Sequence, residues 1–369
     1  VFVAPRFHTN QVGIVKALLA RGHNVVFHTL LRGETEDHSA LAPVIVPEAR
    51  LSKLIRRFFG DRGTNRPRAF PSPFPYYMRL KETRPDIIIV RDPSRFFSLL
   101  AAACARMLGA RVVFYSQDLL LRRYSPARTA ATWLFLKLFS AAWYTPLLGA
   151  ARNEGPPKGR YFLPFVVEGG QKKEKVTDRT TVLMVGKYNR RKNHLLLVEA
   201  LAPIMTERDL DAIIVGECVT PAQIELRGAV VSRVRELGLE DRILLLDNVP
   251  YHRMPELYRS ADLFVLPASG EPAAISVLEA IAFGVPAICS DTCGTRFYIK
   301  DGLNGAVFQS DSRQDLERVL LDWLEDETRL RSAWKSCGIF AQAELSGDAF
   351  YDRFKAMILD RWPAEASRW

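Results

Sequence analysis

The sequence predicts an α/β protein made of two Rossmann-like domains. Length is the first reason, since 369 residues exceed one ordinary hydrophobic core. The second is the order strand, helix, strand at the start, over residues 1–5, 12–20 and 24–30. The third is that the same order begins again at residues 182–185, after a polar stretch.

In the first half, Val15, Leu18 and Leu19 repeat at helical spacing, and Arg21, Gly22 and His23 close that helix with glycine past its end. The motif Gly-x-Gly-x-x-Gly is missing from this first unit, so a dinucleotide cofactor is not expected. Residues 49–60 place Leu51, Leu54, Ile55, Phe58 and Phe59 on one face of a helix, with Arg50, Lys53, Arg56 and Arg57 on the rest. Two readings stay open for it: a membrane-surface helix, or a core-facing helix with a solvated basic face. Residues 61–80, rich in Pro, Arg and aromatics, are expected to form a long loop. Then follow an apolar strand at 87–90, a buried Ala- and Leu-rich helix at 96–108 and a strand at 111–115 that ends on Ser116, Gln117 and Asp118. Polar residues at that end of a parallel strand face the ligand crevice of open α/β sheets. Residues 129–151 are almost uncharged and about long enough to span a bilayer. Lys137 lies inside the run and Pro146 breaks it, so a buried or interfacial helix over 133–143, followed by a strand, is expected instead.

Residues 169–178 read as a linker. Beyond it, a strand at 182–185 runs into Gly186 and Lys187, and Asn193 is placed to cap the next helix. Gly186-Lys187 is not a Walker A loop, because the upstream glycine and the following Ser or Thr are missing. Strands at 213–216, 243–246 and 263–267 alternate with helices at 229–237 and 254–259. Residues 267–308 then give a strand end, a glycine turn, a helix opening near Ala273, a strand and a loop. Within them stand Glu271 and Glu279. The first turn of that helix has unpaired N–H groups and a positive dipole end, which suit a diphosphate, and a carboxylate one or two turns on accepts hydrogen bonds from sugar hydroxyls.

Charge divides unevenly. Residues 1–165 carry 25 Lys and Arg against 10 Asp and Glu, and the remainder 26 against 31. The basic half therefore faces something anionic: a phospholipid surface, a lipid-linked pyrophosphate or nucleic acid. Five cysteines, an odd number without paired metal spacing, argue against a disulfide framework and fit a reducing compartment. Cys289 and Cys293 lack a second pair and the six histidines are scattered, so no metal site is expected. The start of the chain shows no apolar signal segment, and a cytoplasmic location is expected.

The run of Pro267, Ser269, Glu271, Leu278, Glu279, Ala280, Gly284, Pro286 and Asp291 resembles the donor site of retaining glycosyltransferases of family GT4. The resemblance covers nearly the whole chain, most specifically residues 182–308. It implies the GT-B fold, two Rossmann-like domains facing a central cleft. The domains would be an N-terminal acceptor domain at 1–168, the linker at 169–178, a nucleotide-sugar donor domain at 179–347, and a last helix at 348–369 that returns to the first. It also implies that Gly186, Lys187, Lys192, Glu271, Ala274, Ile275, Ser276 and Glu279 bind the donor. Lys187 and Lys192 would hold its diphosphate, Glu279 the ribose and Glu271 the hexose hydroxyls. Lys187 stands where the family usually has Arg, Ala274 where it has Gly, and Gln117 where a His contacts the transferred sugar. Gln117 cannot titrate, so a general-base role there is not expected. Asp118 matches the family's Asp, and Glu271, Asp118, Gln117, Lys187 and Lys192 make up the catalytic set. Asn10, Arg56, Arg57, Phe58 and Phe59 fall on the acceptor or membrane side.

The activity expected is metal-independent transfer of a hexosyl group from a nucleotide diphosphate sugar, without cofactor, to a saccharide or lipid-linked acceptor in envelope polysaccharide or glycoconjugate synthesis. An anionic membrane surface, at the inner face of the plasma membrane, is the expected partner. A GT-B-fold epimerase or phosphorylase is the alternative, separable by its products. A nucleic-acid-binding protein would also explain the basic half, but the chain carries no recognised nucleic-acid motif.

Overall fold

The computed structural model describes all residues except 8, 33–37, 61–65, 92, 122–124, 151–155, 171–178 and 369. It divides into two compact units, Val1–Val166 with Gly347–Trp369, and Val167–Ser346. Most of the expected linker, 171–178, lies outside the described residues.

Among the described residues the first unit is built on seven parallel strands: β1 (Phe2–Val3), β2 (Phe27–Thr29), β3 (Val44–Ile45), β4 (Ile87–Arg91), β5 (Arg111–Tyr115), β6 (Ala142–Thr145) and β7 (Arg160–Phe162), in the order β3-β2-β1-β4-β5-β6-β7. One face packs helix Val12–Ala20 and helix Gly347–Arg361, with Ile14, Val15, Leu18, Phe350, Phe354 and Ile358 in the core. The C-terminal helix is thus part of this unit although it follows the second in sequence. The other face packs helices Pro73–Thr83 and Phe96–Met107 through Tyr76, Leu80, Phe97 and Ala101.

The second unit repeats the design with six parallel strands: β8 (Thr180–Val185), β9 (Leu210–Gly216), β10 (Ile243–Asp247), β11 (Leu263–Leu266), β12 (Ala287–Ser290) and β13 (Gly305–Phe308), in the order β10-β9-β8-β11-β12-β13. The strand order reverses between β1 and β4 in the first unit and between β8 and β11 in the second. In open α/β sheets such a switch point opens a crevice at the carboxyl ends of the strands.

Several sequence expectations need correction. The uncharged run does not form a helix over 133–143. Helix Pro126–Leu138 starts earlier, with Ser125 Oγ accepting from the Arg128 N–H at 3.3 Å and Pro126 in its first turn. Trp143 sits in β6, whose four residues are all buried. Ser140, with φ +47°, makes the turn between them. The helix is not buried either: Trp133, Leu134 and Leu138 are exposed and only Leu136 is fully covered. Among the described residues no helix is long and apolar enough to cross a membrane. The long loop expected at 61–80 is also shorter than thought. Residues 61–65 lie outside the described residues, and Pro73 opens a helix that buries Tyr76 and Leu80 at i and i+4. The helix expected at 229–237 begins at Pro221, behind a capping box in which Thr220 and Gln223 satisfy each other's backbone N–H groups. Asn193 does precede helix His194–Glu207, but its side chain does not cap it; the amide donates to Asp311 at 3.0 Å instead.

Two buried histidines tie the fold to pH. His28 on β2 has Nδ1 3.3 Å from the Tyr76 hydroxyl, and His194 stacks on Tyr188 with ring centroids 4.6 Å apart. Burial pushes both imidazoles down from 6.5 to about 4. The folded state therefore holds them neutral, and their contribution to stability is complete above pH 6.5 and is lost as pH falls toward 4. The urea unfolding midpoint is expected to drop between pH 7 and pH 5.5, a range in which ordinary carboxylates stay ionised, and His28→Gln is expected to make that drop shallower. Equal slopes in the two proteins would remove His28 from this account.

Candidate functional site

In the second unit the carboxyl ends of β8 and β11 supply the chemistry. Strand β8 ends at Val185, and a Cβ on Gly186 would stand 3.1 Å from Lys192 Cδ. Glycine there lets the Lys192 stem lie against the strand end. Tyr188 turns inward beneath Gly216, where any side chain would strike its ring, and packs on His194. Asn189 then caps a short 3-10 turn, Arg190–Lys192, by accepting from the Lys192 N–H at 3.0 Å.

This turn aims two cations at one carboxylate. Lys192 Nζ lies 2.9 Å and Arg191 Nη2 3.2 Å from Glu271 Oε2. Glu271 is 6% exposed, and its Oε2 is enclosed between the two cations. The loop that carries Glu271 is pinned at both ends. The Ser269 N–H donates to the Arg191 carbonyl at 2.8 Å, and the Gly294 N–H to the Glu271 carbonyl at 2.8 Å. Gly294 comes so close to Pro272 that a Cβ would stand 1.9 Å from the proline carbonyl oxygen.

Helix Ile275–Ala282 opens two residues beyond Ala273, with Ala274 at its N-cap and no side chain capping it. The first-turn N–H groups of Ile275 and Ser276 are therefore left to water or to an anion. One turn on, Glu279 Oε2 accepts from the Tyr258 hydroxyl at 2.7 Å. Burial raises the Glu279 carboxyl, the Tyr258 hydrogen bond opposes this, and the Glu168 charge adds to it. Lys187 behaves differently: it is exposed, and its Nζ pairs with Glu217 Oε2 at 2.7 Å. Sequence reasoning missed Arg191, which the motif spacing skips, and Tyr258, which lies 21 residues before its partner. Among the described residues no group of three His, Cys, Asp or Glu side chains is placed to hold a metal ion.

In the first unit, two predicted residues meet on a third that was not predicted. Gln117 Nε2 and Asn10 Nδ2 point at the Tyr115 hydroxyl, at 3.1 and 3.5 Å, and Asn10 Oδ1 is buried without a partner. Asp118 lies beside them in sequence but turns away, to a 2.6 Å ion pair with Arg128.

Helix Arg50–Phe58 sits in an orientation neither open reading described in full. Its buried side is polar: Ser52 Oγ donates to Glu48 Oε1 at 2.7 Å and accepts from the Phe70 N–H at 3.0 Å, and Arg56 Nε donates to Glu48 Oε1 at 2.7 Å. The Arg56 charge is thus directed inward, and Arg57 is exposed. Leu51, Leu54, Phe58 and Phe59 are 59%, 65%, 83% and 58% exposed. The core-facing reading of the apolar stripe is excluded by these exposures.

Two family models match the chain: Glycosyltransferase Family 4 over residues 12–150, and Glycosyl transferases group 1 over residues 169–339. The N-acetylgalactosamine-N,N'-diacetylbacillosaminyl-diphospho-undecaprenol 4-alpha-N-acetylgalactosaminyltransferase of Campylobacter jejuni is 31% identical over 158 residues, 42% of this chain and 40% of that one. The lipopolysaccharide core biosynthesis mannosyltransferase LpsB of Rhizobium meliloti is 28% identical over 151 residues, 40% of this chain and 42% of that one. The match thus spans less than half the length of either curated relative. Among solved structures, a glycosyltransferase from Rickettsia africae superposes with a TM-score of 0.73 at 12% identity, covering 98% of this chain and 97% of that one. Anabaena HepE in complex with UDP and glucose gives 0.70 at 14%, covering 97% and 98%. At these identities the likeness shows the fold alone.

Proposed function

The chain belongs to the family 4 glycosyltransferases of GT-B fold, and from that premise we propose that it moves a hexose from a nucleotide diphosphate sugar to a saccharide or lipid-linked acceptor, with retention at the anomeric carbon. The observation that carries this reading is the pairing of two cations and an uncapped helix N-terminus with two carboxylates at the switch point of one sheet. When the bond between the anomeric carbon and phosphate breaks, negative charge grows on the diphosphate. Fixed N–H groups and ammonium or guanidinium ions stabilise charge of that kind without reorganising. Such a site supplies the positive charge from the protein, and we read the transfer as metal-independent. Glu279, oriented by Tyr258, takes the ribose hydroxyls, and Glu271 the hexose hydroxyls. The Campylobacter and Rhizobium relatives, named for a diphospho-undecaprenol saccharide and a lipopolysaccharide core, support an acceptor of the lipid-linked class.

The first unit is the side that meets the acceptor and a membrane. Its basic excess and the exposed apolar face of helix Arg50–Phe58 support peripheral binding to an anionic surface, at the inner face of the plasma membrane. Gln117, Asn10 and Tyr115 form its polar wall.

Two outcomes are expected. Glu279→Ala and Lys192→Ala each lower donor affinity or turnover by about tenfold or more with the fold retained, since a charge-assisted hydrogen bond is worth roughly 1.5–3 kcal/mol; wild-type kinetics in both would refute the site. In co-sedimentation, wild type binds anionic vesicles in a manner weakened by salt, whereas Phe58→Ser/Phe59→Ser, altered at exposed positions only, melts as wild type does and stays in the supernatant. A wild type that ignores anionic vesicles at low salt would leave only a soluble acceptor.

A further inference from the structure

We infer that Arg191, a residue outside the family signature, grips the donor diphosphate together with Lys192, and that Glu271 is the internal counter-ion from which the diphosphate draws both cations. This rests on the nucleotide-sugar reading and refines it. Three observations support it. Arg191 and Lys192 converge on the same oxygen, Glu271 Oε2, so two positive charges face one negative charge and the trio keeps a net charge of +1. Both contacts, at 2.9 and 3.2 Å, are ion pairs held by charge, so a second anion of greater charge competes for the same two cations. The position that usually supplies the family's second cation, Lys187, is instead exposed and paired with Glu217.

The geometry also separates a structural from a binding role within Arg191. Its carbonyl holds the Ser269 N–H and so fixes the loop before Glu271, while the guanidinium alone faces the carboxylate. A substitution that keeps the backbone keeps the first and removes the second. Guanidinium presents a fork that matches two phosphate oxygens, whereas the ammonium of Lys192 acts as a point charge. Lys192 is nearly buried and Arg191 half exposed, so the arginine is the member free to swing. Once the diphosphate takes the cations, Glu271 Oε2 is left as the acceptor for hexose hydroxyls. Binding of the phosphates and binding of the sugar are thereby coupled: the carboxylate is fully available to the sugar only when the phosphates occupy the cations.

The test compares nucleoside diphosphates with the matching nucleosides, UDP with uridine, GDP with guanosine and ADP with adenosine, by calorimetric titration of the full chain. For the base that wild type prefers, Arg191→Ala is expected to weaken diphosphate binding by about tenfold or more, to leave nucleoside binding as in wild type, and to lose more than Lys187→Ala does. Arg191→Lys should recover part of the loss. An Arg191→Ala protein that binds the diphosphate as wild type does, or a larger loss in Lys187→Ala, overturns the assignment while the proposed function stands. A wild type that binds none of the three diphosphates overturns both.

Discussion

A buried carboxylate facing two cations is the constraint on which the second unit is arranged. Glu271 is placed by two backbone hydrogen bonds, one to Arg191 through Ser269 and one to Gly294, and the latter tolerates no side chain larger than hydrogen. Lys192 reaches it only because Gly186 leaves room for its methylenes. Tyr188, buried at the start of the turn, needs Gly216 on the neighbouring strand for the same reason. Four chain segments thus meet at one charge cluster, and each is fixed by a close approach that sets where the next one can lie.

The first unit solves a different problem. Helix Arg50–Phe58 buries its polar side, tied down by Glu48, and turns its aromatic side outward. Leaving four large apolar side chains in water gains nothing for the isolated chain, since about 1.5–3 kcal/mol per side chain is forgone. An apolar surface rimmed with arginine and lysine is the arrangement that an anionic bilayer would cover.

How much of this was legible in the sequence depended on range. The strand and helix order of both units followed from local periodicity, whereas Glu271 and Glu279, at a spacing common in any helix, were singled out only by the resemblance of their flanking residues to family 4. What local pattern could not decide was orientation. The amphipathic stripe at 50–59 has the same period whichever face is buried, and the choice was made by Glu48 and the Phe70 backbone. Lys187 and Arg191 both carry positive charge near one loop. Only the Asn189-capped turn decides that Arg191 meets Glu271 while Lys187 meets Glu217, 30 residues away in sequence. Helix Pro126–Leu138 was misplaced because the uncharged run hid the change from a helical to a strand period at Ser140, whose positive φ no apolar count reveals. Tyr115 and Tyr258 were missed because a tyrosine that orients a neighbour looks like any other core aromatic until its hydroxyl finds a partner.

The central claim is that the second unit binds a nucleoside diphosphate with protein charges in place of a metal ion. Melting curves of the full chain with UDP, GDP and ADP, each recorded in EDTA, test it most directly, because a ligand that binds only the folded state raises the melting temperature. The account predicts a concentration-dependent rise for at least one of the three that EDTA leaves intact. No rise with any of them, or a rise that appears only when Mg²⁺ or Mn²⁺ is restored, would contradict it.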